Sequence, residues 1–198
     1  MISSSRGTSV SKSELWLAKR GQLSIRQWEL SDAEVLSTLV GDNLEHLRPW
    51  MPWIENEPLT LIERRSLISL WRSGYRRDGD LFAGVFLATK CVGSAGLHKR
   101  LGVGVLEIGY WIDRGHCGRG FATTAVGLLC DVAFSKSETA SVEIHHDQAN
   151  VISARVARAA LFKFLGTGPH EITAPAEIGV EWSWEMTRSA WESNKHAS

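Results

Sequence analysis

Residues 107–129 read EIGYWIDRGHCGRGFATTAVGLL and pass from alternating apolar positions, through Cys117-Gly118-Arg119-Gly120, into an apolar run at helical spacing. A helix start leaves its first backbone N–H groups unpaired and carries partial positive charge, so it attracts phosphate. Glycine lets a ligand approach the main chain closely. Gly118 and Gly120 therefore read as an anion cradle at the head of the helix that holds Phe121 and Ala122. The other reading is a plain strand-to-helix turn, and glycines alone do not separate the two. Two common phosphate motifs fail on residues. Gly115 and Gly120 have Walker spacing, but Phe121-Ala122 stands where Lys and Ser or Thr are required. The dinucleotide order of glycines is also missing, since these run G-x-x-G-x-G.

Working outward, the elements alternate. LSIRQWEL reads as a strand, and Ser31-x-x-Glu34 as a capping box opening a helix, with Leu30 and Val35 as its hydrophobic staple. HLRPWMPW, from His46 to Trp53, reads as a proline-broken loop, and Thr60-x-x-Glu63 as a second capping box on a helix reaching about Trp71. LFAGVFLAT and CVGSAGLH pair as a hairpin turning near Lys90, VLEIGYWID is the next strand, and SVEIHH another. A helix is expected from Asn150 to about Ala160, and GVEWSWEMT alternates as a half-buried strand. The order is β-α-α-β-β-β-α-β-α-β-β without internal repeats, a mixed α/β domain. The opening MISSSRGTSVSK is Ser-rich and aperiodic, so residues 1–13 read as a flexible tail and 14–198 as a single domain.

Composition narrows the classes. The chain has 198 residues, with 22 Lys+Arg against 22 Asp+Glu, a balance that argues against a nucleic-acid or anionic-membrane binder. No apolar run reaches membrane-span length. Cys91, Cys117 and Cys130 form no CxxC pair and leave one odd, which points to a reduced, cytoplasmic protein. Nine tryptophans are many for this length, and some are expected to line a pocket.

EIGYWIDRGHCGRGFATTAV resembles the acetyl-CoA signature of the GNAT superfamily, whose loop has the form Q/R-x-x-G-x-G/A, here Cys117 to Ala122. HLRPWMPW, DQANVISARVA and the terminal WEMTR resemble its ribosomal-protein N-acetyltransferase (Rim-type) branch, from about Leu23 to Arg188. The resemblance implies a mostly antiparallel mixed sheet flanked by helices and splayed between its fourth strand, VLEIGYWID, and its fifth, SVEIHH. It also implies acetyl-CoA in that cleft, with the pantetheine arm on backbone groups of Trp111 and Ile112. The diphosphate would lie on the loop amides of Gly118 to Ala122, within a cofactor-binding run of Cys117, Gly118, Arg119, Gly120, Phe121, Ala122 and Thr123. There are two departures from the family pattern. Cys117 replaces the usual Gln or Arg, and Leu161 stands where a glycine commonly ends the preceding helix.

The remaining site residues follow from chemistry and from the resemblance together. Glu107 is the first base candidate; on a strand it shares a face with Gly109 and Trp111. His146 is the second, its ordinary titration range suiting neutral-pH proton transfer. Alternation puts His145 on the opposite face from His146, so the pair cannot chelate one metal, and no metal site is expected. Asn150 is a natural helix cap; by the resemblance it would bond the pantetheine arm, while Ser153 would protonate the leaving thiolate. Trp50 and Trp53 would wall the acceptor pocket. Cys117 at a helix start could be an activated nucleophile, but it would lie by the diphosphate, so direct transfer in a ternary complex is expected. The resemblance implies an N-acetyltransferase acting on a peptide α-amine, with relatives pairing as homodimers. A small-molecule amine acetyltransferase (antibiotic or metabolite) and a non-catalytic acyl-CoA-binding module are the alternatives.

Overall fold

The computed structural model describes residues 16–196, and the Ser-rich run read as a tail lies outside them. Two N-terminal strands, β1 (Trp16–Arg20) and β2 (Leu23–Gln27), precede three helices, α1 (Ala33–Gly41), α2 (Leu44–Leu47) and α3 (Leu61–Arg76). The hairpin β3 (Leu81–Leu87) and β4 (Lys90–His98) leads to β5 (Val105–Ile112) and α4 (Phe121–Phe134). Then come β6 (Ser141–Asp147), α5 (Val151–Ala159), β7 (Lys163–Pro169), β8 (Val180–Thr187) and α6 (Arg188–His196). The strands form one sheet in the order β1-β2-β3-β4-β5-β6-β8-β7. Every neighbouring pair is antiparallel except β5 and β6. No helix among the described residues is long and apolar enough to cross a membrane.

Strand alternation splits the core into two layers. Leu106, Ile108 and Ile112 of β5 and Val142 and Ile144 of β6 pack beneath α4 and α5 with Ala125, Leu128, Leu129 and Ala157. On the other face Trp28, Phe86, Cys91 and Trp111 pack against Leu36, Val40, Ile54 and Ile68, from α1, α3 and the loop between. Thus β5 sends its even-numbered residues to one helical layer and Trp111 to the other.

Several local expectations hold and some shift. The second capping box forms, with Thr60 N donating to Glu63 Oε2 at 2.7 Å and Glu63 N to Thr60 Oγ1 at 3.3 Å. The helix it opens runs past Trp71 to Arg76. The first capping box does not form at Ser31. A 3-10 turn spans Leu30–Asp32, and Glu29 N donates to Asp32 Oδ2 at 2.8 Å. Asp32 takes the capping role because its carboxylate is buried against Arg26, at 2.6 and 2.8 Å. Leu30 and Val35, read as a staple, are both exposed. The proline-broken loop contains the single turn α2 and a 3-10 turn at Pro52–Asn56. Its far end is fixed by a buried ion pair, Arg64 Nη2 to Glu57 at 2.6 and 2.7 Å.

The end of α5 shows what replacing glycine has done. Phe162 N donates to Ala157 O and Leu161 N to Arg158 O, both at 3.0 Å, the two bonds of a Schellman stop. That stop places Leu161 at φ +64°, a left-handed conformation costing an L-residue about 1–2 kcal/mol. Leu161 is 64% exposed, so little packing opposes its removal. Leu161→Gly is expected to stabilise the fold by about 0.5–1 kcal/mol after the extra freedom of the unfolded glycine is deducted. In a thermal melt this is a rise of roughly 2 °C; a fall would mean the Leu161 side chain holds a contact that outweighs the strain.

Candidate active site

The pairing of β5 with β6 lasts three residues, Val105 with Ser141, Leu106 with Val142 and Glu107 with Glu143, and then the strands part. This is the splay implied by the resemblance, between the fifth and sixth strands because β1 adds one at the edge. Which groups it opens follows from the ladder on the other side. Asp113 N donates to Val92 O at 2.8 Å, continuing a register in which Trp111 pairs with Ser94. Antiparallel alternation therefore turns the N–H and C=O of Trp111 toward β4, and those of Ile108, Tyr110 and Ile112 toward the gap. Ile112 keeps its expected place on the cleft side. Trp111 does not: Tyr110 takes its position there, a correction that required the strand register.

The loop between β5 and α4 ends in two left-handed glycines, Gly118 at φ +74° and Gly120 at φ +76°, and Gly120 caps α4 without a side-chain hydrogen bond. Backbone N–H groups of residues 118–123 find no acceptor within the protein among the described residues. Added Cβ atoms on either glycine would meet nothing within 4 Å, so the space above them is open. Unpaired donors, a helix start and open space together fit a diphosphate. Arg119 is exposed beside them.

The near side of this loop is held by Asn43, a buried residue at the end of α1 that the sequence did not single out. Its Nδ2 donates to Leu39 O at 2.8 Å and to Asp113 Oδ1 at 2.9 Å, and its Oδ1 accepts from Arg114 N at 2.8 Å. Asp113 in turn holds His116 Nδ1 at 2.5 Å. Cys117 turns away from the cradle, with Sγ 3.6 Å from Ile112 O, 3.5 Å from Asp113 O and 3.7 Å from His46 Nε2. Burial, and then the Asp113 charge, raise its thiol above the ordinary value. A helix-start thiol lowered into reactivity is not what the fold builds here.

Across the gap, Asn150 caps α5 by accepting Ser153 N at 3.1 Å, which leaves its Nδ2 available. Ser153 Oγ lies 2.9 Å from the hydroxyl of Tyr110. Burial pushes the Tyr110 phenol up to about 12, so it keeps its proton at neutral pH. Nothing in the local sequence pairs these two, which come from different elements.

The two base candidates fare differently. Glu107 is buried, and both its carboxylate oxygens accept from Arg100, Oε2 from Nε at 2.5 Å and Oε1 from Nη2. His146 accepts Trp184 Nε1 on its Nε2 at 3.0 Å and donates from Nδ1 to Asp147 O at 2.8 Å. Burial lowers its pKa, and no lone pair remains to take a proton. Here His146 is a packed histidine stacked beside Trp184 rather than a base. His145 does face the opposite way, between Glu143 at 2.6 Å and Glu181 at 3.0 Å. Burial works against its charge, but these carboxylates raise its pKa. Trp53 is 36% exposed, its ring 6.4 Å from that of Trp111, and Trp50 is half-buried. The β7–β8 loop reaches the same region, since Ala176 N donates to Pro49 O at 3.0 Å.

A family model described as "Acetyltransferase (GNAT) domain" matches residues 22–163. The chain belongs to the GNAT acetyltransferase family. It is therefore an N-acetyltransferase, and the splayed sheet and the glycine cradle are that family's architecture. Among curated relatives, the acetyltransferase is 32% identical over 123 residues to "Putative ribosomal N-acetyltransferase YdaF" of Bacillus subtilis (strain 168), 62% of this chain and 67% of the relative. It is 26% identical over 151 residues to "Probable N-acetyltransferase YjcK" of the same organism, covering 74% and 83%. A solved structure of RimL, a ribosomal L7/L12 alpha-N-protein acetyltransferase in complex with coenzyme A, superposes with TM-score 0.80 at 18% identity, covering 88% of this chain and 99% of that one. At that identity the likeness shows the fold.

Proposed function

We propose that this acetyltransferase moves the acetyl group of acetyl-CoA onto the α-amine of a protein or peptide N-terminus, by direct transfer in a ternary complex. The observation that carries the reading is the β5–β6 gap opening after Glu107 onto a helix start with unpaired N–H groups. Relatives named for ribosomal-protein acetylation support the acceptor class. Bound acetyl-CoA supplies an acetyl thioester whose thiolate is a modest leaving group. Residues 118–123 would hold the diphosphate and Arg119 its outer charge. Main-chain groups of Tyr110 and Ile112, with Asn150 Nδ2, would orient the amide-bearing arm as a substitute strand. An N–H aimed into the gap from β5 would polarise the thioester carbonyl, the usual oxyanion contribution.

The departing sulfur needs a proton, and in this reading the Tyr110–Ser153 pair gives it; their hydroxyl oxygens lie 2.9 Å apart. A thiol with an ordinary pKa of ~8.5 asks for little help. Ser153→Ala is therefore expected to lower kcat about 10-fold without abolishing it, and Tyr110→Phe with Ser153→Ala about 100-fold. Full turnover in the double variant would remove the pair from the mechanism. An α-amine at ~7.7–8.0 is partly neutral at physiological pH, whereas a lysine at ~10.4 is not. The raised Cys117 thiol fits transfer without an acetyl-cysteine, so double-reciprocal plots should intersect; parallel lines would contradict this. The reading includes a cytoplasmic location and a homodimer, the latter checked by light scattering. Mass spectrometry of a peptide library with free and blocked N-termini tests the acceptor. Acetylation confined to free α-amines is expected; acetylation only of lysines or small amines would overturn it.

A further inference from the structure

Gly109 stands between Glu107 and Trp111 on the face of β5 turned away from α4, and it leaves a gap in that row. What fills the edge of the gap is His98, the register partner of Glu107 across the β4–β5 ladder. A Cβ built on Gly109 would stand 3.1 Å from His98 Nε2, and one on Gly96, its partner across the ladder, 3.2 Å. The ring lies over both glycines; it is the neighbour a side chain at Gly109 would meet, while at Gly96 the Leu81 carbonyl oxygen, 2.6 Å from such a Cβ, is closer still. On its other side Nδ1 is 2.9 Å from Asp80 Oδ2, and the ring meets Phe82 edge-on at 5.1 Å. Phe82 is itself stacked on Trp71 of α3 at 4.7 Å. A carboxylate on one ring nitrogen fixes the proton there and leaves the other nitrogen as a lone pair. No protein group bonds His98 Nε2 among the described residues.

The other basic side chains on this face are occupied. Glu107 is bound through both oxygens by Arg100, and both nitrogens of His145 face carboxylates. The charged groups around His98 are Asp80 ahead of β3, Glu107 on β5, and Lys99 and Arg100 just past β4. Lys99 is paired with Asp78, and the Arg100 guanidinium is committed to Glu107. Phe82, with Trp71 behind it, carries no charge. The side chain of His98 is 14% exposed, enough to pass a proton to water.

We propose that His98, oriented by Asp80, takes the proton of the acceptor amine, which enters over Gly109 between Glu107 and Trp111. The proposal rests on the acetyl-transfer reading. The N–C bond forms as the C–S bond breaks; nitrogen gives one proton to His98 Nε2, and sulfur receives one from the Tyr110–Ser153 pair. An amine arriving as ammonium first loses a further proton to water. His98 then discharges its proton to solvent, and solvent returns one to the Tyr110–Ser153 pair, so the protons balance over a turnover.

The test combines kinetics, binding and NMR on the full chain. His98→Gln is expected to lower kcat about 100-fold and to remove the acidic limb of the kcat/KM profile, and Asp80→Asn to lower kcat about 10-fold. Calorimetry with coenzyme A should give the same Kd for both variants as for the wild type. In the wild type the neutral His98 ring, followed by NMR without cofactor, should carry its proton at Nδ1, beside Asp80; a neutral ring protonated at Nε2 would overturn the proposal. Turnover of His98→Gln within threefold of wild type, or a limb that persists in it, would overturn the proposal while leaving the acetyl-transfer reading intact. A wild type with no affinity for coenzyme A would overturn both.

Discussion

Gly120→Val should lower the affinity for coenzyme A at least 100-fold while the fold survives. Gly120 sits at φ +76° as the cap of α4, and a side chain there meets no protein atom. The penalty is conformational. A β-branched residue in the left-handed region is a genuine outlier costing about 1–2 kcal/mol or more. The turn then either keeps its strain or relaxes, and on relaxing it no longer converges the N–H groups of residues 118–123. Hydrogen bonds to a charged group contribute about 1.5–3 kcal/mol each, so losing two exceeds a factor of 100. Gly120→Ala, without the branch, should fall between. Calorimetry with coenzyme A, alongside circular dichroism to show the fold is kept, checks both. Wild-type affinity in Gly120→Val would mean that this turn does not hold the anion.

Asp147→Ala should destabilise the domain by about 3 kcal/mol or more. Asp147 ends β6 at 4% exposure and gathers five donors: Ala149 N at 2.8 Å, His170 Nε2, Ile178 N and Gly179 N at 2.9 Å, and Val180 N at 3.3 Å. Removing it leaves buried N–H groups without acceptors and a histidine without its counter-charge. Because the β7–β8 loop also bonds Pro49, the acceptor side of the site should loosen with it. Burial alone would raise the carboxyl, but bonds from Ala149 N, His170, Ile178 N and Gly179 N hold it at about 2. A folded pKa below the ordinary 3.8 contributes stability above pH 3.8, lost as pH falls through about 2. His170 runs the other way: burial lowers its pKa, but Asp147 raises it past 6.5. Its share is full below 6.5 and fades as pH climbs through the raised value. Urea melts of wild type and Asp147→Ala from acid to neutral pH should converge at the acid end. Parallel curves would show that Asp147 is not the acid-sensitive anchor.

What the sequence disclosed and what it hid divide by range. Thr60 with Glu63 and Asn150 with Ser153 are local caps, and both form as their spacing suggests. Alternation put His145 and His146 on opposite faces, and the strand keeps them there. The first cap moved because Asp32 answers Arg26, six residues earlier, and a tertiary ion pair outranks a local motif. Strand β1 escaped notice because WLAKR has no alternation; it is an edge strand held by its ladder with β2. The site residues found only in three dimensions all depend on distant contacts: Asn43 with Asp113, Tyr110 with Ser153, Asp80 with His98. Trp111 and Tyr110 exchanged roles because the side of a strand that bonds its neighbour is set by register, which no single strand reveals. Arg100 lies only seven residues before Glu107, yet nothing in the letters says the two carboxylate oxygens are both taken.

The most direct measurement titrates the purified chain, by calorimetry, with coenzyme A and with 4′-phosphopantetheine, which carries the same arm but no diphosphate. Micromolar affinity for the first and at least 100-fold weaker binding of the second are expected if the backbone donors of residues 118–123 grip the diphosphate. No heat from coenzyme A at millimolar concentration, or equal affinity for the two, would contradict it.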